Sequence, residues 1–349
     1  MKKPLKIAIV GCGALAQNFY KPALKTLEAS HNLELRAVAD LNLKAALELQ
    51  KAFPKAQVLK TLDDLNANWI DLAIVASAPH QHASAVQELL KRNIHVLCEK
   101  PLALNTVEAL GMIQAAKQTK SLFAVSLVRR FFPAFEAIDY FVKQHTFGKP
   151  LSFTWFEGHP FSWPIQSSSL FEKSSGNKGV LQDLGVHGLD LMLKCFGYPV
   201  GFVAQHDAYS GVDTNALLHL SFEGGIQGEF RFSWDTELRN SLQIDFEKAR
   251  LEWFIKDTST IDLYFPGLPF VLENKIQYDF SKHPLQKTAV FANDYSQSFV
   301  AQLANVCEAI RGEASLKIEA QDALQVTRFL DEAYKRSEPL AQLWINLDD

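Results

Sequence analysis

The chain has 349 residues, 48% hydrophobic and 21% charged, with 35 Lys and Arg against 39 Asp and Glu and a net charge of -4. That balance excludes a basic nucleic-acid footprint and a polybasic membrane face, and no stretch approaches the roughly 20 apolar residues of a membrane span. The length predicts two domains. The four cysteines, Cys12, Cys98, Cys195 and Cys307, are too few and too scattered for a disulfide scaffold or a zinc cluster, so the expectation is reduced thiols and a cytoplasmic protein.

The N-terminus, Met1-Lys-Lys-Pro-Leu-Lys-Ile-Ala-Ile-Val-Gly11-Cys12, superficially resembles a secretory leader with a lipoprotein cleavage site. The apolar run is too short for such a leader, and a buried first β-strand explains it better. From there to about residue 128 short apolar runs alternate with helical stretches. Strands are expected at Lys6–Val10, Glu34–Ala39, Leu72–Ala76, His95–Cys98 and Phe123–Leu127, with a weaker one at Val58–Leu59. Helices are expected at Leu15–Ala29, Leu43–Phe53, Ala83–Arg92 and Thr106–Lys117. Such alternation predicts a parallel, doubly wound sheet.

Gly11-Cys12-Gly13-Ala14-Leu15-Ala16 follows the first strand and opens the first helix. This is the GxGxxA form of the dinucleotide fingerprint: Gly11 for the tight turn, Gly13 for backbone approach to a pyrophosphate, Ala16 for close helix–strand packing. The phosphates would rest on the helix N-terminus. Asp40 closes the second strand, where a carboxylate hydrogen-bonds ribose hydroxyls and disfavours a 2′-phosphate. The next residue, Leu41, is not an arginine, so NAD is expected over NADP. The competing reading is that Asp40 only caps the next turn. Ser77, Ala78 and His82 follow the fourth strand, and Glu99-Lys100-Pro101 follows the fifth, both at the strand ends where ligands bind in open α/β sheets. Glu99 and Lys100 are either a surface pair or part of a site. His82 either belongs to that site or merely starts a helix.

In the second half, strands are expected at Leu151–Glu157, Gly201–His206, Ala216–Phe222, Gly225–Trp234, Ser241–Phe246 and Arg250–Ile255, with a hairpin turn at Gly224-Gly225. Between the first two lies Gly179-Val-Leu-Gln-Asp183-Leu-Gly-Val-His187-Gly-Leu-Asp190. On a helix its i, i+4, i+7 spacing puts Asp183, His187 and Asp190 on one face, within roughly 60°. A titratable stripe on an otherwise apolar helix is either a hydrogen-bonded polar seam or faces a cleft. Gly185 and Gly188 lie on the opposite side, where each costs roughly 1 kcal/mol relative to Ala, so close packing is expected there. Gly197 and Pro199 end the helix.

Taken together, these motifs resemble the Gfo/Idh/MocA family, named for glucose–fructose oxidoreductase, inositol dehydrogenase and a rhizopine catabolism protein. The fingerprint at Gly11–Ala16, the Ser77–His82 loop, Glu99-Lys100-Pro101, Arg129-Arg130-Phe131, the Gly179–Asp190 helix and the C-terminal segments Ala309–Gly312 and Ala323–Tyr334 carry the resemblance. It implies a Rossmann domain over residues 1–128. Residues 129–349 would then form a C-terminal α/β domain with a large, mostly antiparallel open sheet that pairs chains into a homodimer or homotetramer. It also implies that Lys100 lies near the nicotinamide, that its bond to Pro101 is cis and so fixes its aim, and that Asp183 and His187 face the reacting carbon. Arg129 joins the expected cofactor contacts Gly11, Gly13, Ala14, Leu15, Ala16, Asp40, Ser77, Ala78, His82, Glu99 and Lys100. This chain departs from the family pattern at Asn177-Lys178, where a diglycine is usual before the helix, and at Val128 and Ser77-Ala78-Pro79.

The chemistry implied is hydride transfer between nicotinamide C4 and a secondary hydroxyl or ketone of a sugar, polyol or related small molecule, with no metal. His187 would be the general base. Asp183 would orient it or bind a neighbouring hydroxyl, and Lys100 would stabilise alkoxide charge. Trp163 is a candidate platform for a sugar ring or else a packed loop residue. Arg129, Arg130, His159 and Asp190 are further substrate candidates, with the two arginines alternatively pinning the interdomain crossover or the cofactor. Two alternatives stand beside this reading: an NAD-dependent glycosidase working by transient oxidation, and a non-catalytic NAD-binding sensor.

Overall fold

The computed structural model describes residues 3–162, 176–208, 211–275 and 294–340. The chain forms two compact units. One takes in residues 3–131 and 294–327, the other residues 132–162, 176–208, 211–275 and 328–340. The units therefore do not follow a single cut at residue 128, because the chain returns to the first unit near its end.

The first unit is a six-stranded, wholly parallel sheet. In chain order its strands are β1 (Leu5–Val10), β2 (Leu33–Ala39), β3 (Gln57–Leu59), β4 (Leu72–Val75), β5 (His95–Cys98) and β6 (Phe123–Val125). Their spatial order, β3-β2-β1-β4-β5-β6, reverses direction between β1 and β4, which is the point where such sheets bind nucleotides. Ile7, Ala8 and Ile9 of β1 and all four residues of β4 are fully buried, as parallel strands covered on both faces must be. That burial makes the apolar N-terminal run a core strand.

The helices are α1 (Lys21–Leu27), α2 (Leu43–Ala52), α3 (Pro79–Lys91), α4 (Thr106–Lys117) and, from the returning chain, α8 (Tyr295–Ile310) and the first part of α9 (Ala320–Arg336). Side chains satisfy open N–H groups at several N-termini: Asn42 for α2, Asn105 for α4 and Asp294 for α8. The first helix is not uniform, since a π turn at Ala16–Tyr20 precedes α1. Helix α3 starts four residues earlier than expected, because Pro79 at its first position is preset for helical φ. His82 is consequently inside the helix. Phe299, Leu303 and Cys307 of α8 complete a core with Tyr20 and Leu24.

The second unit is built on a nine-stranded, mostly antiparallel sheet of order β14-β13-β12-β11-β7-β10-β9-β8-β15. Its strands are β7 (Pro150–Gly158), β8 (Gly201–His206), β9 (Asn215–Ser221), β10 (Gln227–Ser233), β11 (Ser241–Phe246), β12 (Arg250–Phe254), β13 (Thr260–Tyr264), β14 (Val271–Lys275) and β15 (Glu338–Pro339). The β9–β10 hairpin turns at Gly224-Gly225 as expected. Strands β13, β14 and β15, and helix α5 (Pro133–Lys143), were not among the expected elements. In the sheet interior, β7 and β10 run parallel.

Above those two strands lie the short helix α6 (Val180–Asp183) and then α7 (Gly185–Phe196), with Leu184 between them. Helical φ/ψ persists at Leu184, but His187 N–H bonds to the Leu184 carbonyl in the tighter i to i−3 pattern at 3.1 Å. The single uniform helix expected over Gly179–Asp190 is therefore interrupted. His187 and Asp190 share α7, whereas Asp183 ends α6. The glycines pack as expected. A Cβ on Gly188 would lie 2.8 Å from the Trp155 ring, and one on Gly185 would lie 2.8 Å from Leu181 and 3.4 Å from Phe232. Trp155 is fully buried and meets Trp253 edge-on at 5.9 Å, so it has little room to move.

At Gly188 two effects oppose each other. Alanine would gain about 1 kcal/mol of helix propensity, but overpacking a rigid core costs about 1–3 kcal/mol. Because the obstacle is a fully buried indole, packing should win. Gly188→Ala is expected to lower the urea midpoint of unfolding, and an unchanged or raised midpoint would show that the Trp155 contact is soft.

Candidate functional site

The glycine turn sits where the sheet reverses. Gly11 has φ +91°, its N–H bonds to the Ala39 carbonyl at 2.8 Å, and a Cβ there would overlap the backbone of Ala76 and Ser77. Only glycine lets the ends of β1 and β4 approach so closely. Gly13, Ala14 and Leu15 beyond it are partly exposed, while Ala16 is fully buried under the helix. The first N–H groups of a helix have no intrahelical acceptor, so this turn can receive phosphate oxygens.

Asp40 makes the local turn and also reaches the fingerprint. Its Oδ1 accepts the Asn42 N–H at 2.7 Å, which is the local turn, and its Oδ2 accepts the Cys12 N–H at 2.6 Å, inside the fingerprint. A carboxylate offers about four acceptor positions, so these bonds fix its aim and leave capacity for ribose hydroxyls. The Cys12 thiol beside it is pushed up to about 12 by burial and by the Asp40 charge, and is unreactive.

Two loops at the next strand ends are tied together by His82. Its ring is fully buried, with Nδ1 2.9 Å from the Pro101 carbonyl and Nε2 3.0 Å from the Ser77 carbonyl. Burial lowers its pKa, which favours the neutral ring, and a neutral imidazole donates from one nitrogen only. With both nitrogens against backbone carbonyls, His82 shapes the Ser77 and Lys100 loops. The Ser77 hydroxyl is buried without a hydrogen bond among the described residues. An orphaned polar atom beside the glycine turn fits a cofactor lying across it.

Glu99 is likewise not part of a surface pair. It is 5% exposed, accepts the Tyr20 hydroxyl at 2.5 Å on Oε1, and accepts the Lys100 N–H at 3.1 Å on Oε2. Ser126 joins the same group, receiving Gln302 Nε2 at 2.9 Å. This buried network connects the π turn of the fingerprint helix to the backbone of Lys100. Tyr20, Ser126 and Gln302 were missed in the sequence. Tyr20 alone left a signal, as a phenol on the apolar face of the first helix. The Lys100–Pro101 peptide bond is cis. Arg129 and Arg130 are both buried in a 3₁₀ turn, Val128–Phe131, and Arg130 pairs with Asp322 at 3.2 Å.

In the second unit, His187 is 5% and Asp190 1% exposed, while Asp183 is partly exposed. Asp190 is thus a buried carboxylate of α7. His159 follows β7, with its Nδ1 buried and lacking a hydrogen bond among the described residues. Trp163 and the Gln166–Ser169 run lie outside the described residues. Among the described residues no group of His, Cys, Asp or Glu could hold a metal ion, and no helix is long and apolar enough to cross a membrane.

A Rossmann sheet with a glycine turn, a carboxylate at the end of β2 tied to that turn and a lysine at a strand end defines a dinucleotide-binding oxidoreductase. Residues 5–127 match the model of an oxidoreductase family with an NAD-binding Rossmann fold, and residues 135–252 match the GFO/IDH/MocA C-terminal domain. The chain belongs to the Gfo/Idh/MocA family and is an NAD(P)-binding oxidoreductase. It is similar to trans-1,2-dihydrobenzene-1,2-diol dehydrogenase of Bos taurus, 26% identical over 268 residues, covering 75% of this chain and 78% of the relative. The Homo sapiens enzyme of the same name is 25% identical over 322 residues, covering 88% of each. In fold it resembles an oxidoreductase from Thermotoga maritima, with TM-score 0.81, 18% identity and coverage of 96% of this chain and 97% of the other. It also resembles a 3-ketoreductase from Actinomadura kijaniata in complex with NADP and TDP-benzene, with TM-score 0.79, 17% identity and coverage of 97% and 99%.

The buried Glu99 gives a pH signature. Burial raises its pKa from 4.5, against the hydrogen bonds from Tyr20 and Ser126. Above about pH 4.5 the folded chain therefore keeps a proton that the unfolded chain has released, and this group's contribution to stability falls as pH rises. Glu99→Gln cannot titrate. Any advantage of the wild type over that variant, read from urea midpoints, should be largest near the ordinary carboxylate range and shrink toward neutral pH. A difference that stays constant or grows would contradict the raised pKa.

Proposed function

We propose that the chain transfers hydride between NAD and a secondary hydroxyl or ketone of a sugar, polyol or cyclic diol, and that it does so as a cytoplasmic homo-oligomer joined through its large sheet. The observation that carries the hydride chemistry is Lys100. It stands at the end of β5, its N–H held by the buried Glu99 and its loop tied by His82 to the Ser77 loop beside the glycine turn. A buried network spent on aiming one lysine at a nucleotide-binding strand end supports a reacting role over a surface one.

Gly11, Gly13, Ala14, Leu15 and Ala16 would hold the pyrophosphate, Asp40 the adenosine ribose, and Ser77, Ala78 and Arg129 the remainder. Bound NAD supplies the hydride acceptor. His187 takes the hydroxyl proton as general base, and Asp183 orients the ring or a neighbouring hydroxyl. Lys100 stabilises the negative charge that develops on the substrate oxygen. The diol class is favoured by the names of the mammalian relatives, which act on a trans-1,2-dihydrodiol.

A panel of cyclic diols, polyols and sugars with NAD, followed by NADH absorbance, tests this reading. Turnover with at least one secondary alcohol is expected, and Lys100→Ala or His187→Ala should each lower kcat by about 100-fold or more while NAD still binds. Release of free sugar without net NADH, or near-wild-type turnover in both variants, would overturn it. The cofactor preference has its own test. Asp40→Ser combined with Leu41→Arg removes the carboxylate and adds a phosphate partner, and should shift the NADP/NAD ratio of kcat/KM by about tenfold or more toward NADP. A wild type that already prefers NADP would refute the assignment of NAD.

A further inference from the structure

The start of helix α6 has no cap of its own. Its N-cap residue is Gly179, which has no side chain to offer, yet Val180, Leu181 and Gln182 are all buried and their N–H groups need acceptors. All three are met from elsewhere in the second unit. Val180 N–H bonds to the Asp213 carbonyl at 2.9 Å, Leu181 N–H to Asp213 Oδ1 at 2.9 Å, and Gln182 N–H to the Tyr334 hydroxyl at 3.1 Å. Tyr334 in turn donates to Asp213 Oδ2 at 2.6 Å, and Asp213 N–H returns to the Lys178 carbonyl at 2.7 Å. Asp213 is fully buried, and a Cβ on Gly179 would overlap its backbone. Gly179 is thus the one residue of the usual diglycine that this chain cannot replace, because Asp213 occupies the space.

We propose that Asp213 and Tyr334 are positioning residues for the reaction, a helix cap supplied in trans that holds α6, and with it Asp183 and the start of α7, and that loosens when Asp213 takes up a proton. The inference rests on the reading of Asp183 and His187 given above. Both carboxylate oxygens of Asp213 accept hydrogen bonds, an arrangement that suits the ionised form. Burial opposes that charge and pushes its carboxyl up to about 7, with the Asp207 carboxylate adding to the rise and the Tyr334 and Leu181 donors restraining it. The other titratable and charged groups around it are Lys178, over the Tyr334 ring at 4.6 Å, with Asp331 and Lys335 near Lys178, Asp183 near Tyr334, and His206, whose ring centroid lies 5.5 Å from that of Tyr334. A carboxyl raised that far would take up its proton near neutral pH, and with it the Tyr334 and Leu181 hydrogen bonds would be disturbed.

Amide exchange of the wild-type chain decides whether the cap exists. Protection factors at Leu181 and Gln182 should fall by about fivefold or more as pH drops through neutrality, the loss expected for one helix cap. Asp213→Asn should show the lower protection at every pH. Tyr334→Phe removes a donor that stabilises the carboxylate, so its transition should move to higher pH. Kinetics decide whether the cap matters. In both variants kcat should fall in parallel with protection while KM for NAD stays at the wild-type value, and the acid limb of kcat should shift upward in Tyr334→Phe. Wild-type protection that does not change with pH overturns the proposal even if both variants fail to fold. Folded variants with wild-type kcat and an unmoved acid limb overturn it equally. A pH-dependent cap in a chain that turns over no secondary alcohol would instead count against the dehydrogenase reading and leave the cap in place.

Discussion

Close approach of backbone to its neighbours is the constraint on which both units depend. At Gly11 the end of β1 comes within contact of Ala76 and Ser77. At Gly179 the chain presses on Asp213, and at Gly188 a helix lies directly on the Trp155 indole. In each case the absent Cβ is the space that another element fills. The first contact brings together the strand ends that receive a nucleotide. The second fixes where α6 starts, and the third sets α7 down on β7, so the depth of Asp183 and His187 in their unit is decided by contacts made at neighbouring glycines.

Several buried polar groups are handled in one way. Each is matched to backbone groups and so restrains a loop. Glu99 grips the Lys100 N–H, Asp40 the Cys12 N–H, Asp213 the Leu181 N–H, and His82 sits between two carbonyls. Such groups are costly to bury, and what they supply is fixed geometry next to the residues exposed to a ligand. In the first unit Glu99, Tyr20 and His82 together hold the backbone around Lys100.

Much of the fold was legible in the sequence because it is written in short-range periodicity. The six strands of the first unit fall within a few residues of their expected positions, as do six strands of the second, because apolar runs bounded by turn residues are local signals. Strands β14 and β15 were not, since β14 is largely exposed, with no buried face to impose a pattern, and β15 is two residues long; β13 was passed over although Ile261 and Leu263 alternate with polar neighbours. The π turn at Ala16–Tyr20 and the lapse at Leu184 escaped for a related reason: both alter which carbonyl an N–H reaches while leaving the spacing of apolar residues intact.

The sequence by itself determined the parallel nucleotide-binding sheet, the glycine turn, the carboxylate at the end of β2 and the identity of the lysine, aspartate and histidine that stand out from their apolar surroundings. Only the tertiary structure decided what holds them. Glu99 finds Tyr20 across 79 residues, and Tyr334 reaches Asp213 across 121. The physical reason is that a local pattern records how a segment must bury its own side chains. A buried polar group finds its partner wherever the folded chain brings a donor within reach, and that distance along the sequence leaves no periodic trace.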